Sequence, residues 1–238
     1  MAQKDGHIGV ATHSPNDEGD ARPPVALETR GRSGERRMFS PSAGRNKGPI
    51  LEALRGILPT QGRVLEIGCG TGEHAVHVAA ALSGLFWQTS DPDADARAST
   101  AEWIGSSGLA NIGAPLNIDV AAAAWDATLG SHFDAIISMN MIHIAPWAAS
   151  IGLFAGAGRI LKGRGLLVLY GPFMRGGVHN AQSNATFDAS LKARDPTWGV
   201  RDILDLDQLG EGAGLILREA VAMPANNQML VFVKSGSE

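Results

Sequence analysis

Three glycines at alternate positions, Gly68, Gly70 and Gly72, form the segment of this sequence best suited to binding a ligand. They follow the apolar run Val64 to Ile67, which is typical of a buried strand, and precede a helix predicted over residues 73–82. Glycine lets the backbone turn sharply and lets a ligand lie where a Cβ atom would collide. The first N–H groups of the following helix can bind an anion such as a carboxylate. The segment therefore predicts a site for a small molecule that carries a carboxylate.

The spacing of the glycines separates two classes of cofactor. Dinucleotide-binding folds use G-x-G-x-x-G, which brings the backbone against a pyrophosphate. This sequence has G-x-G-x-G, preceded by Glu66. The loop therefore favours S-adenosylmethionine over NAD, and a nicotinamide-dependent oxidoreductase is the weaker hypothesis.

Two acidic residues follow the next two predicted strands. Asp91 lies about 20 residues beyond the loop, where a carboxylate can accept hydrogen bonds from both ribose hydroxyls. Asp119 ends the third strand, where it can accept hydrogen bonds from the adenine amino group. Each acid could instead cap the helix that follows it. Because the glycine loop and both acids belong to the same edge of the predicted sheet, we favour ligand binding.

The sequence E-I-G-C-G-T-G, followed by acids at the ends of the second and third strands, resembles the class I S-adenosylmethionine-dependent methyltransferases. The resemblance extends from about Arg63 to Lys234. It implies an α/β fold: a doubly wound, Rossmann-like sheet of seven strands between two helical layers, with strand order 3-2-1-4-5-7-6 and strand seven antiparallel. It also implies that Glu66, Gly68 and Gly70 hold the methionine part of the cofactor, Asp91 the ribose and Asp119 the adenine. The further residues expected around the cofactor are Arg45, Asn46, Cys69, Gly72, His74, Val120, Asn140 and Met141.

Three longer motifs resemble, more narrowly, a small methyltransferase-like family of unknown substrate. They are F-S-P-S-A-x-R-N-K at residues 39–47, N-M-I-H-I-x-P-W at residues 140–147 and R-D-P-x-W-G-V-R-D at residues 194–202. Gly44 departs from the pattern, which has a larger and often charged residue there. By the same resemblance, Arg45 and Asn46 are expected to fold over the cofactor cleft, and a surface salt bridge is the alternative for Arg45.

Methyl transfer is an in-line displacement, so the protein has to position the acceptor, exclude water and, where the acceptor needs it, supply a base. No metal is required. The acceptor is expected over the carboxyl ends of strands four and five. The candidate catalytic residues there are His143, Asn140 and Tyr170. His143 is the candidate base because the unperturbed pKa of histidine is near neutrality, and a hydrogen-bonded histidine at an apolar strand end is the alternative. Asn140 could bind the acceptor or the cofactor, or could stabilise its own loop.

The segment from Met174 to Asp202 is too long for a simple connection. It predicts a lid over the substrate, and a solvated surface helix at residues 185–193 is the alternative. The candidate substrate-binding residues, inside and next to this segment, are His143, Trp147, Phe173, Asn184, Asp188, Arg194 and Trp198.

Short apolar runs alternate with helical patterns along most of the chain, which predicts βαβ units and a mainly parallel sheet. The predicted strands are residues 63–67, 85–90, 115–118, 134–139 and 165–170, followed by an antiparallel hairpin of residues 215–223 and 228–234. The predicted helices are residues 49–57, 73–82, 93–106, 121–129, 147–161, 185–193 and 205–211. Residues 1–37 contain few bulky aliphatic side chains and predict a disordered tail, so the catalytic domain is expected to comprise residues 38–238.

Composition narrows the classes of partner and compartment. The net charge of -4 and a pI near 6.0 make nucleic acid an unlikely partner, because affinity for phosphates requires basic charge. The sequence has no apolar run long enough for a membrane span or a secretory signal, so we expect no membrane partner and a cytoplasmic location. The single cysteine, Cys69, excludes an intrachain disulfide and a multi-cysteine zinc site.

The sequence therefore predicts an S-adenosylmethionine-dependent methyltransferase that acts on a small-molecule acceptor. One alternative is a methyltransferase of protein or RNA, although Asn140 to His143 lacks the consecutive prolines of many enzymes that methylate amino groups of bases. Another alternative is a partner subunit that binds the cofactor without catalysis. The acceptor atom and the oligomeric state stay open.

Overall fold

The computed structural model describes residues 31–32, 36–130 and 133–236. Most of the expected tail, residues 1–37, lies outside these ranges. Gly31–Arg32 pairs with Met38–Phe39 as a short antiparallel ribbon. Among the described residues, no helix has the length and apolar character needed to cross a bilayer.

Seven strands form one central sheet. They are β1 (Gly62–Ile67), β2 (Leu85–Ser90), β3 (Ile112–Leu116), β4 (Phe133–Met139), β5 (Leu161–Gly171), β6 (Leu215–Met223) and β7 (Asn227–Lys234). Their order across the sheet is β3-β2-β1-β4-β5-β7-β6. Strand β7 is antiparallel to both of its neighbours, and the other pairs are parallel. The strand order and the antiparallel seventh strand expected from the sequence are thus confirmed.

Helices cover both faces of the sheet. They are α1 (Pro41–Ile57), α2 (Glu73–Ala81), α3 (Ala94–Ser107), α4 (Trp147–Ile160), α5 (Gln182–Arg194) and α6 (Ile203–Gly212). Successive side chains of a strand point to opposite faces, so Leu167 and Leu169 of β5 join the core under α4 and α6, whereas Val168 and Tyr170 join the core under α1 and α2. This alternation gives the expected three-layer αβα architecture.

Helix α1 begins at Pro41, not at Pro49 as the sequence prediction has it. Ser40 is its N-cap, and its side chain accepts a hydrogen bond from the N–H of Ala43 at 3.4 Å. Either proline can occupy a first helical turn, but only Pro41 follows a capping serine. The polar segment before Pro49 is therefore the first half of the helix, and it carries Arg45 and Asn46.

The helix predicted over residues 121–129 is absent, and successive turns take its place. The N–H groups of Ala122, Ala127 and Leu129 each bond to the carbonyl three residues earlier, at 3.0, 3.0 and 3.1 Å. Trp125 fixes this segment, because its indole N–H donates to the carbonyl of Gly152 in α4 at 2.8 Å. Tertiary anchoring thus overrides the helical propensity of an alanine-rich run.

The long insertion after β5 is folded. Phe173–Arg175 forms an antiparallel hairpin with Val178–His179 and pairs in parallel with Arg201–Asp202 on its other side. Helix α5 lies between these strands in the sequence. The predicted surface helix is therefore present, but it begins at Gln182 and belongs to a small subdomain beside β5.

Candidate functional site

The glycine loop between β1 and α2 has a left-handed backbone at all three glycines, with φ values of 74° at Gly68, 58° at Gly70 and 91° at Gly72. A Cβ atom on Gly68 would lie 2.8 Å from the side chain of Met141, and one on Gly72 would lie 2.8 Å from the Cα of Thr100. The absence of a side chain at Gly68 lets Met141, after β4, approach the glycine loop closely, and the absence of one at Gly72 does the same for helix α3. Gly72 is also the N-cap of α2 and has no side chain with which to cap that helix.

Asp91 meets the glycine loop directly. The N–H of Gly70 donates to its Oδ2 at 2.9 Å, and the N–H of Asp93 donates to its Oδ1 at 2.9 Å. The N-cap of α3 is Asp93, whose carboxylate accepts from the N–H of Ala96 at 2.7 Å. Asp91 is therefore not the helix cap, and it holds together the two segments predicted to bind the methionine and ribose parts of the cofactor.

Asp119 follows β3 at the same edge of the sheet. The N–H of Asp91 donates to the carbonyl of Leu116 at 3.0 Å, which ties the end of β2 to the end of β3. Asp119 is exposed and accepts a hydrogen bond from the N–H of Ala121 at 2.9 Å, and Val120 beside it is buried. Both predicted ligand carboxylates thus lie at the carboxyl ends of neighbouring parallel strands.

Glu66 is almost completely buried beneath the loop. Its carboxylate accepts a hydrogen bond from the indole N–H of Trp87 at 2.7 Å. Burial raises the pKa of Glu66 to about 7; the Trp87 hydrogen bond opposes that shift, and the charge of Asp91 adds to it. A negative charge at this position is therefore unfavourable unless a cation approaches it.

A side-chain network ties α1 to the site. The Nε2 of His74 and the Oδ1 of Asn46 lie 2.7 Å apart, and the Nδ2 of Asn46 donates to the hydroxyl of Tyr170 at 3.5 Å. Burial lowers the pKa of His74 to about 4, with smaller contributions from His77 and Lys47, so the ring is neutral and donates to Asn46. Burial also raises the pKa of Tyr170. Asn46 thus joins α1 to α2 and β5.

Arg45 and Cys69, which are also expected around the cofactor, differ in their exposure to solvent. Arg45 is exposed on α1. Cys69 is buried, and its Sγ lies 3.3 Å from the hydroxyl of Thr100. Burial raises the pKa of the Cys69 thiol, with the charge of Glu66 adding to the effect, so the thiol is protonated and packs as an apolar group.

The strand-four loop, residues 140–147, leaves β4 through a left-handed residue. Asn140 has φ 61°, its N–H donates to the carbonyl of Tyr170 at 2.8 Å, and its carbonyl accepts from the N–H of His143 at 3.2 Å. The side chain of Met141 lies against Gly68. Asn140 and Met141 therefore stand between the glycine loop and the end of β5.

His143 belongs to this loop. Its side chain is fully buried and packs edge-to-face on Phe173, with the ring centroids 5.0 Å apart. Its Nδ1 accepts a hydrogen bond from the N–H of Arg201 at 3.4 Å, which assigns the ring proton to Nε2. The Nε2 atom is buried and has no hydrogen-bond partner among the described residues. Burial, together with the nearby charge of Arg201, lowers the pKa of His143 to about 3. This arrangement suits a neutral hydrogen-bond donor better than a general base.

The remaining candidate substrate-binding residues separate into two groups. Trp147 is half-buried beside Arg201, and Phe173 is buried against His143. Asn184 and Asp188, in contrast, are buried within the insertion. The Nδ2 of Asn184 donates to the carbonyl of Asn226 at 2.9 Å, and Asp188 accepts from the N–H of Val200 at 2.8 Å and the Nζ of Lys192 at 2.7 Å. Arg194 is exposed and Trp198 is half-buried. The structure thus gathers Trp147 and Phe173 at the strand-four loop, whereas Asn184 ties the insertion to the turn between β6 and β7 and Asp188 binds residues within the insertion.

A family model described as "Protein of unknown function (DUF938)" matches residues 37–234. The chain belongs to this family. The resemblance to a family of unknown substrate is thereby confirmed, and the match spans nearly all of the described residues.

Solved structures that share the fold include three methyltransferases. CalO1, a methyltransferase in calicheamicin biosynthesis with SAH bound, has a TM-score of 0.67 and 18% identity, over 82% of this chain and 54% of that chain. An O-methyltransferase family protein from Burkholderia thailandensis has a TM-score of 0.70 and 15% identity, over 83% of this chain and 58% of that chain. The mitomycin 7-O-methyltransferase MmcR has a TM-score of 0.67 and 15% identity, over 82% and 54%. The fold is therefore the class I methyltransferase fold, and this chain spans little more than half the length of these structures.

Two residues that contribute contacts to this region are not among the site residues predicted from the sequence. Glu73, in the first turn of α2, is buried, and its Oε2 accepts the N–H of Ser40 at 2.6 Å, which fixes the start of α1 on the glycine loop. Arg201 reaches from the insertion into the strand-four loop, where its Nε donates to the carbonyl of Ile142 at 2.8 Å. Glu73 follows the glycine motif directly and Arg201 lies inside the third long motif, but sequence gives no sign of their partners.

Proposed function

We propose that this protein is an S-adenosylmethionine-dependent methyltransferase that acts on a small-molecule acceptor. The observation that carries the proposal is the 2.9 Å hydrogen bond from the N–H of Gly70 to Asp91, which joins the glycine loop to the acid after β2. Shared fold with methyltransferases of low sequence identity supports the same function.

The residues at this edge fit the cofactor. The N-terminus of α2, whose N-cap Gly72 has no side chain, suits the methionine carboxylate, and the buried carboxyl group of Glu66 suits the methionine ammonium group. Asp91 follows β2 directly and Asp119 lies three residues after the end of the neighbouring strand β3, in positions that suit the ribose and the adenine. The left-handed backbone at Gly68, Gly70 and Gly72 gives the loop the tight turn that such a site requires.

The bound cofactor would supply an electrophilic methyl group. The protein's own part is to position the acceptor and exclude water. Asn46, between His74 and Tyr170, holds α1 against α2 and β5. Asn140, at the carboxyl end of β4, offers a carboxamide to an acceptor. The lone pair of His143 Nδ1 already accepts a hydrogen bond from the N–H of Arg201, so His143 is not assigned as a general base.

Calorimetry with S-adenosylmethionine and S-adenosylhomocysteine tests the cofactor. We expect both to bind, and we expect Asp91→Asn to weaken both at least about tenfold because the amide is a poorer acceptor for ribose hydroxyls. Asp205→Asn, on the exposed face of α6, is the matched control and is expected to bind like the wild type. Absence of binding to the wild-type protein would refute the proposed function.

Transfer of a labelled methyl group to a cell extract tests the acceptor. The label is expected in the small-molecule fraction. Label confined to protein or RNA would replace the small-molecule acceptor with a macromolecular one. Cofactor binding without label in any fraction would favour the non-catalytic partner subunit.

A further inference from the structure

Two of the long sequence motifs dock on each other. The strand-four loop, residues 140–147, is contacted by the last part of the insertion, residues 194–202. The N–H of Gly199 donates to the carbonyl of His143 at 2.9 Å, and the N–H of Arg201 donates to the Nδ1 of the same residue at 3.4 Å. The insertion is therefore bound to the loop through its backbone at two points.

The Arg201 side chain adds a second set of contacts. Its Nε donates to the carbonyl of Ile142 at 2.8 Å, and its Nη2 donates to the carbonyls of Ala145 and, at 3.1 Å, Thr197. The guanidinium also lies 5.5 Å from the ring centroid of Trp147. One planar group thus satisfies carbonyls on both sides of the docking surface. A lysine ammonium, a point charge without this planar fork, cannot reproduce the set.

The backbone that carries Arg201 is itself fixed from behind. Asp188 of α5 accepts the N–H of Val200 at 2.8 Å. A Cβ atom on Gly199, whose φ is 154°, would lie 2.8 Å from Asp188 Oδ1, so a side chain at this position would disturb the carboxylate that binds Val200. Arg201 also pairs with Phe173 in the small sheet. The guanidinium therefore projects from a rigid support.

The loop that Arg201 fixes carries two residues into the cofactor cleft. Asn140 is held in a left-handed conformation, and Met141 packs against Gly68 of the glycine loop. Neither residue contacts Arg201 itself in the bonds described, yet both belong to the turn whose carbonyls it binds. The position of Asn140 and Met141 thus depends on how firmly residues 142–145 are held.

We infer that Arg201 is a positioning residue of the cofactor cleft: from the end of the insertion it fixes the strand-four loop in the shape that presents Asn140 and Met141 to the glycine loop. This inference rests on the proposed function for the identity of the ligand. The holding of the loop by Arg201 does not depend on that identity.

Hydrogen exchange on the ligand-free protein tests the first half of the inference. In Arg201→Gln, the amides of His143, Ile144 and Gly199 are expected to exchange at least about tenfold faster than in the wild type, because local opening is no longer opposed by the guanidinium. Arg201→Lys should restore part of the protection. The matched control is Arg218→Gln, an exposed arginine of β6 that pairs with the adjacent Glu219 and should leave these amides unchanged. A uniform rise in exchange across the chain would mean a general loss of stability and would overturn the inference.

Calorimetry with S-adenosylhomocysteine tests the second half. Arg201→Gln is expected to raise the Kd at least about fivefold at a temperature where the variant is folded, with Arg201→Lys in between and Arg218→Gln equal to the wild type. An unchanged Kd in Arg201→Gln, together with faster loop exchange, would show that the loop does not shape the cleft. If the wild type itself fails to bind, the proposed function fails, whereas the exchange experiment still decides whether Arg201 fixes the loop.

Discussion

Glu66 is a carboxyl group in a position that opposes its ionisation. It is buried against Trp87, which donates one hydrogen bond to it, and Asp91 lies close enough to add a repulsive charge. Such a group is unfavourable for the stability of the fold, and residues of this kind concentrate at functional sites. The sequence predicts that the G-x-G-x-G motif and Glu66 form part of a ligand site. It does not predict the raised pKa of Glu66, because that depends on burial and on Trp87, which the fold brings together.

The pKa of Glu66 predicts a stability change with a defined sign. The folded-state pKa of about 7 lies above the ordinary value of 4.5, so the folded protein retains a proton that the unfolded chain loses as pH rises through this range. Glu66→Gln keeps an acceptor for Trp87 and removes the charge. We expect the variant to be more stable than the wild type by on the order of 3 kcal/mol at about pH 8, with the difference vanishing near about pH 4.5.

Urea unfolding at both pH values measures this difference. Glu211→Gln, at an exposed position in α6, is the control and should match the wild type at each pH. Equal stability of Glu66→Gln and wild type at the higher pH would mean that Glu66 ionises freely in the fold.

At the scale of elements, apolar runs located most strands correctly, because a buried parallel strand consists largely of apolar residues. The third strand was placed wrongly: β3 is Ile112–Leu116, whereas residues 115–118 were predicted. Strand β2 has the predicted bounds, and β4 begins one residue earlier than predicted. The failures have tertiary causes. Helix α1 begins at Pro41 because Ser40 caps it there, and residues 121–129 form turns because Trp125 is anchored on α4. Neither contact can be predicted from the helix propensities of the residues concerned.

The Trp125 ring packs against Gly156 of helix α4. Replacing a helical glycine with alanine usually stabilises a helix, but at Gly156 we expect it to destabilise the protein. A Cβ atom on Gly156 would collide with the Trp125 ring, whereas one on Gly44 of α1 would meet nothing within 4 Å. Helix propensity alone favours alanine over glycine by about 1 kcal/mol at either site. We therefore expect Gly44→Ala to stabilise the protein by about 0.5 to 1 kcal/mol and Gly156→Ala to destabilise it by about 1 to 3 kcal/mol.

Thermal or urea unfolding of the two variants measures the contrast. Because both substitutions add one methyl group to a helical glycine, propensity cancels in the comparison. Stabilisation by Gly156→Ala would show that the Trp125 ring can move away from Gly156 without loss of stability, contrary to this prediction.

At the scale of the whole molecule, the candidate site is assembled from segments far apart in sequence. Glu73 holds Ser40 before α1, Asn46 joins His74 to Tyr170, and Arg201 binds the strand-four loop. Sequence motifs marked all three regions as special and predicted their nearness to a ligand, but they did not predict which segment contacts which. The pairing of motifs depends on the crossover connections of the sheet, so it could not be deduced from residue types and spacing.

The buried titrating groups of the whole fold predict its response to acid. Burial lowers the pKa of His74 from 6.5 to about 4 and that of His143 from 6.5 to about 3. Below pH 6.5 the unfolded chain binds protons at both histidines and the folded protein does not, so each contribution to stability is lost as pH falls. Glu66 has the opposite sign between pH 4.5 and about 7. For these three groups, two losses against one gain leave a net decrease of on the order of 1.4 kcal/mol per pH unit between about pH 6 and about pH 4.5. His77, whose pKa is lowered by burial and by Lys47, adds to the decrease.

Variants separate these contributions. In Glu66→Gln the opposing contribution is removed, and the decrease should become about twice as steep over the same range. In His74→Gln, which retains a donor for Asn46, the contributions of His143 and Glu66 nearly cancel, and the decrease should become much shallower than in the wild type. Urea unfolding at several pH values between about 7 and about 4.5 measures all three slopes. Stability of Glu66→Gln that is flat or increases on acidification would contradict neutral His74 and His143 in the fold, because each of them makes the unfolded chain the better proton acceptor below pH 6.5.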